Sequence, residues 1–174
     1  MENKISEGNL VYLEKCTAAS NIAAGRMIGI NTGANTLYSY DRESVGFSGT
    51  GGGFGVRFIG ILDESVSAGQ VGVNVWTKGI FEFQLASSIE TAATIGHPVW
   101  GCISGGGALV TTEASGVAPT AMATGCLPIG TVVGLTNGTS GEYVRVKITP
   151  GAFNWGALLS STGTYAGNNF PPTI

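Results

Sequence analysis

The chain has 174 residues, 43% of them hydrophobic, enough for one domain with a real core and too apolar for wholesale disorder. Charged residues make up only 11%, the net charge is −3, and the eight Lys and Arg stand singly, which argues against a nucleic-acid binder. No apolar run reaches about 18 residues, so no membrane span is expected, and MENKISEGNLVYLEKC lacks a positive segment ahead of an apolar run, so no signal peptide is expected. The 29 glycines beside many β-branched residues fit an all-β protein with tight turns. Cys16, Cys102 and Cys126 match no zinc spacing and read as small buried hydrophobes in a reducing cytoplasm.

In chain order, residues 1–8 are polar and read as a loose arm. Asn9 to Cys16 reads as a first strand, with Leu10, Tyr12 and Glu14 on one face and Val11 and Leu13 on the other. Residues 26–40 form a hairpin around the turn Asn31-Thr32-Gly33-Ala34-Asn35. The glycine-rich 41–55 stretch lacks the Gly-Lys-Ser/Thr ending of a phosphate loop and leads into strand, so it reads as a surface loop. Phe58 to Phe83 then reads as three strands joined by two short turns, the chain's organising stretch. Within it Val71, Val73 and Val75 alternate on one face, and Phe81 and Phe83 share a face. Ser87 with Glu90 suggests one or two helical turns. Strands follow at 95–103, 108–112, 127–135 and 142–148.

The two halves repeat an order of events. Ala24-Gly25 and a strand, a glycine turn and a return strand, Ile59-Gly60-Ile61, a loop ending in Gly69 and a valine strand come first. Ile95-Gly96 and a strand, the Gly105–Gly107 turn and a return strand, Ile129-Gly130-Thr131, a loop ending in Gly141 and a valine strand follow, offset by 70 to 73 positions. The expected organisation is an arm at 1–8, a β-domain at 9–150 and a tail at 151–174. The domain holds pseudo-repeats at about 22–83 and 94–148, packed as a small barrel or sandwich.

Chemistry is sparse. His97, the single histidine, precedes Pro98 at a strand entrance and reads as a turn residue, without a nucleophile elbow or reactive-cysteine context. Asp63-Glu64 and the pair Asp41 and Glu43 fall in loops and read as solvated charges. No cluster has metal-ligand spacing, so neither cofactor nor metal nor enzymatic activity is expected. The tail 151–174 carries no charged side chain but holds Phe153, Trp155, Leu158, Leu159, Tyr165 and Phe170. Aromatic anchors spaced along such a segment suit docking on another chain or on the chain's own barrel.

Six stretches together resemble the capsid cement, or decoration, proteins of tailed bacteriophages. They are Ala23-Ala24-Gly25; Ile59-Gly60-Ile61; Ala68-Gly69-Gln70-Val71; Thr77-Lys78-Gly79-Ile80-Phe81-Glu82-Phe83; Ile95-Gly96-His97-Pro98-Val99-Trp100; and Ile129-Gly130 ahead of Val144 and Val146. The resemblance covers roughly 20–148. His97 stands where the family usually has a more acidic residue, the 41–55 loop looks inserted and the tail is long. The resemblance implies a structural virion protein, made in the host bacterial cytoplasm, that binds the outside of the head at junctions between major capsid subunits. It implies a homo-oligomer, a trimer ahead of a dimer, while the scattered charges and the lack of a long apolar run leave no nucleic acid or membrane partner expected. The expected capsid or intersubunit contacts are Phe153, Trp155, Leu158, Tyr165 and Phe170, with the 1–8 arm second. A second reading is a carbohydrate- or receptor-binding β-module of a phage fibre, with exposed Trp76 and Trp100 as a sugar platform.

Overall fold

The structure, a computed structural model, describes residues 8–31, 34–40, 56–85, 94–101, 109–112, 128–136 and 143–150. Every element among them is a strand. Five belong to the first half: β1 (Leu10–Ala18), β2 (Met27–Asn31), β3 (Thr36–Ser39), β4 (Val56–Leu62) and β5 (Val71–Trp76). Five belong to the second: β6 (Gly79–Leu85), β7 (Pro98–Trp100), β8 (Leu109–Thr112), β9 (Pro128–Thr136) and β10 (Tyr143–Ile148).

The strands close into two barrels, β1-β3-β2-β4-β5 and β6-β8-β7-β9-β10, with the same cyclic order. In each, the first and third strands pair parallel and the remaining pairs are antiparallel. The correspondence reaches single hydrogen bonds. The Gly25 N–H donates to the Leu62 carbonyl at 2.8 Å, and the Leu62 N–H donates to the Arg26 carbonyl at 2.9 Å. In the second barrel Gly96 donates to Val132 at 2.8 Å and Val132 donates to His97 at 2.9 Å. The register slips by one residue at equivalent places too, between Ile28 and Gly29 opposite β4 and between Val99 and Trp100 opposite β9. A bulge bends its strand and so helps a five-strand sheet to close.

The repeat boundary differs from the expected 22–83 and 94–148. The first unit begins at β1 and ends at Trp76, and β6 opens the second unit instead of closing the first. Residues 58–83 are therefore not one three-stranded sheet. β4 pairs with β5, whereas β6 pairs with β8 and β10. The reason is topological. β6 plays in its barrel the part that β1 plays in the other, and Thr77-Lys78 is the link between barrels, not a hairpin turn.

Alternation along each strand separates inside from outside. Ile28, Leu37, Leu62, Val73 and Val75 fill the first barrel with Cys16, Ala18, Ile22 and Val66. Phe81, Phe83, Leu85, Val99, Val110, Val132, Val144 and Val146 belong to the cluster of the second. That cluster also takes in Met27, Tyr40, Phe58 and Ile61 of the first barrel, all buried. Met27 and Ile61 neighbour the inward Ile28 and Leu62 in the chain, so they lie on the outer side of their own barrel and are covered by the other. The Tyr40 and Phe58 rings meet at 5.4 Å between centroids. Gly101 makes the joint close, because a Cβ there would stand 3.0 Å from Tyr40 and 3.1 Å from the Met27 sulfur.

The valine alternation on β5 has an exception. Val73 and Val75 point inward, but Val71 is exposed, since Gly72 at φ 82° turns the chain between them in a conformation that glycine adopts freely. The helical turn suggested at Ser87 and Glu90, the 41–55 loop, Cys102 and Cys126 lie outside the described residues.

Candidate functional site

The link between the barrels gathers the ends of the β-domain. The Asn9 carbonyl accepts the Thr77 N–H at 2.8 Å and the Thr77 hydroxyl at 3.2 Å. Gly8 lies so close to Lys78 that a Cβ would meet the Lys78 carbonyl oxygen. Gly79 pairs with Ile148 at the far end of β10, and the Thr149 N–H donates to the Ile129 carbonyl at 3.0 Å. Gly8 and Ile148, at the two ends of the β-domain, thus lie beside the same short stretch, Thr77-Lys78-Gly79, where the link enters β6. The five tail residues expected to make contacts, Phe153, Trp155, Leu158, Tyr165 and Phe170, lie outside the described residues, as do residues 1–7 of the arm.

Beside this junction the outer faces of the two barrels differ. On β1 and β5, Leu10 stands opposite Trp76 and Tyr12 opposite Asn74. The equivalent positions on β6 and β10 hold Ile80 opposite Lys147 and Glu82 opposite Arg145. Arg145 Nε approaches the Glu82 carboxylate at 3.7 Å, with the side chains 44% and 29% exposed, a geometry that contributes little stability but keeps the face wet.

Asp63 and Glu64 are not merely solvated, as the sequence suggested, while Asp41 and Glu43 lie outside the described residues. The Trp76 indole N–H donates to Asp63 Oδ1 at 2.6 Å, and Asn74 Nδ2 donates to Glu64 Oε1 at 3.2 Å. The Asp63 N–H also donates to the Asn74 carbonyl at 3.0 Å, so the loop after β4 folds back onto β5. No sequence motif announces this arrangement. Its one signal is an acidic pair immediately after a strand that pairs with a Trp-bearing strand.

The sugar platform of the fibre reading is not formed. Trp100 is 1% exposed, packed in the joint between barrels, and Trp76 is half-buried with its indole N–H engaged by Asp63. His97 sits in a turn as its sequence context suggested. Its backbone N–H donates to the Thr94 carbonyl at 3.1 Å, while its ring Nδ1 is buried and has no hydrogen-bond partner among the described residues. Among the described residues no group of three or more His, Cys, Asp or Glu could hold a metal ion. Cys16 is buried inside the first barrel, and desolvation pushes its thiol above the ordinary range.

No family model matches the sequence. No curated protein matches it either. Among solved structures, the chain is similar to the head fiber gp8.5 N base in bacteriophage phi29, with a TM-score of 0.42 and 15% identity, over 81% of this chain and 95% of that one. A likeness this distant leaves fold and role to rest on the chain's own residues.

Proposed function

We propose that this chain is a structural protein of a tailed-bacteriophage head, a cement protein that binds the outer surface of the shell. In this reading it bridges junctions between major capsid subunits and holds them against internal pressure. It is multivalent, so many individually weak contacts add up to a resistant shell. No reaction is part of the role.

The observation that carries the reading is the meeting of both ends of the β-domain at the inter-barrel link, where Asn9 bonds Thr77 and Ile148 pairs with Gly79. A two-barrel body with its two terminal segments starting from one place suits a clamp whose body rests on the shell. The ordered resemblance across residues 20–148 supports it, as do the 11% charge and a tail without charged side chains. The proposed contacts are Phe153, Trp155, Leu158, Tyr165 and Phe170, large apolar groups of the kind that dominate interfaces.

Deleting residues 151–174 tests this. The truncated chain is expected to keep the far-ultraviolet circular dichroism of the β-domain and to lose binding to expanded heads in co-sedimentation. Undiminished binding by the truncated chain would refute the tail's assigned role.

A further inference from the structure

A row of side chains crosses the outer side of the first barrel. Cross-strand pairing aligns Met27 with Ile61, Ile61 with Trp76 and Trp76 with Leu10, over β2, β4, β5 and β1 in turn. Met27 and Ile61 are fully buried under the second barrel, Trp76 is half-buried against the same cluster, and Leu10 is 42% exposed. Two residues along β1 on the same face, Tyr12 is 60% exposed. Its ring lies over Gly72, where a Cβ would collide with the Tyr12 hydroxyl and come within 3.3 Å of the ring edge. Val71, next to Gly72, is 62% exposed.

Duplication supplies an internal reference for this face. The same row in the second barrel reads Pro98, Thr131, Lys147, Ile80, and the position of Tyr12 and Asn74 is held by Glu82 and Arg145. One fold has therefore solved the same outer surface twice. In the second barrel a threonine, a lysine and an ion pair face water, whereas in the first an isoleucine, a tryptophan and a tyrosine stand in those places. A scattered exposed apolar residue needs no explanation, but a contiguous strip that runs out of a buried interface does.

We infer that the β1–β5 face is a self-association surface, covered by the same face of a second copy of this chain. The row's own continuation favours that occupant. Half of it is already covered by a barrel of this fold, and the exposed half carries the same chemistry up to the edge of that contact. Two of its donors are engaged within the chain, the Trp76 indole on Asp63 and the Asn74 amide on Glu64, so covering the strip strands neither of these. Tyr and Trp with aliphatic neighbours are the usual anchors of such contacts. A face packed on itself is isologous and closes at two copies, in contrast to the trimer that the family resemblance favours. The inference is independent of head binding.

The test uses the full chain. Sedimentation equilibrium across a concentration series is expected to give twice the mass of one chain, and Tyr12→Glu, which copies the charge found at Glu82, is expected to weaken association at least tenfold. Glu82→Ala, on the equivalent face of the second barrel, is expected to leave it unchanged. Tyr12→Cys covers the case in which Tyr12→Glu fails to fold, and oxidation is expected to join two chains through position 12. A single-chain mass at every concentration overturns the inference, as does an assembly indifferent to Tyr12→Glu in a folded chain. A photo-crosslinker at position 12 that couples to residues 151–174 of its own chain, or to a different protein, also overturns it.

Discussion

Gly60 and Gly130 occupy the same place in the two barrels, and substituting each by alanine separates two physical effects. Gly130 stands opposite Ile148, and a Cβ there would strike the Lys147 carbonyl oxygen and lie 2.9 Å from its carbon and 3.0 Å from the Ile148 Cα. These are backbone atoms of the paired strand and cannot swing aside. Overpacking of this kind costs about 1–3 kcal/mol, and the upper half of that range applies where backbone must move. Replacing glycine constrains the unfolded chain and returns about 0.4–1 kcal/mol, leaving a net loss of roughly 2 kcal/mol for Gly130→Ala. Gly60 meets the Trp76 carbonyl in the same way, but its φ is 152°, a region that L-residues rarely adopt. That adds about 1–3 kcal/mol, so Gly60→Ala is expected to lose about 4 kcal/mol. Gly134 is the control. The nearest atoms a Cβ there would meet belong to the Arg145 side chain, Cδ at 3.2 Å, and that side chain is partly exposed and can turn away. Gly134→Ala is expected within about 0.5 kcal/mol of the parent, as surface substitutions usually are. Urea unfolding followed by circular dichroism reads all three. A Gly130→Ala chain as stable as the parent, or a Gly60→Ala chain no weaker than Gly130→Ala, would refute the equivalence and the steric argument together.

Three further outcomes follow from the same geometry. Asp63→Ala removes the acceptor of the Trp76 indole at 2.6 Å and is expected to lose about 1–2 kcal/mol, with a double-mutant cycle against Trp76→Phe showing a coupling of at least about 0.5 kcal/mol. A zero coupling energy would mean the contact does not hold the loop. Arg145→Ala breaks an exposed pair at 3.7 Å and is expected to change stability by no more than about 1 kcal/mol in urea unfolding. In a Cys102→Ser, Cys126→Ser chain, Cys16 is expected to resist a thiol reagent at neutral pH and to react fully in denaturant, since burial keeps it protonated and out of reach. Fast labelling of the native chain would contradict the placement of Cys16.

Local pattern made most of the strands legible. The 26–40 hairpin, the β1 faces and the pairing of Phe81 with Phe83 on one side all read directly from period two. The repeat was legible where both copies keep the same small motif, Ile59-Gly60 and Ile129-Gly130, because two barrels need the same close strand approach. It was misplaced at its start because β1, LVYLEKCTA, and β6, GIFEFQL, share only alternation. Thr77-Lys78-Gly79 has hairpin composition, and nothing local says that the strands it joins pair in different barrels. The burial of Trp100 was equally out of reach, for it depends on packing of the joint between strands that lie far apart in the chain. The ties from Asp63 to Trp76 and from Glu64 to Asn74 arise from the path of a loop, which composition does not encode.

The central claim is that this chain covers a phage shell, and its copy number tests that most directly. Quantitative mass spectrometry of purified virions of the encoding phage, with the major capsid protein as internal standard, is the measurement. A cement protein on a symmetric lattice is expected at a ratio of about one, or a simple fraction such as about one third. A ratio of a few per cent, or absence from the virion, would contradict the account.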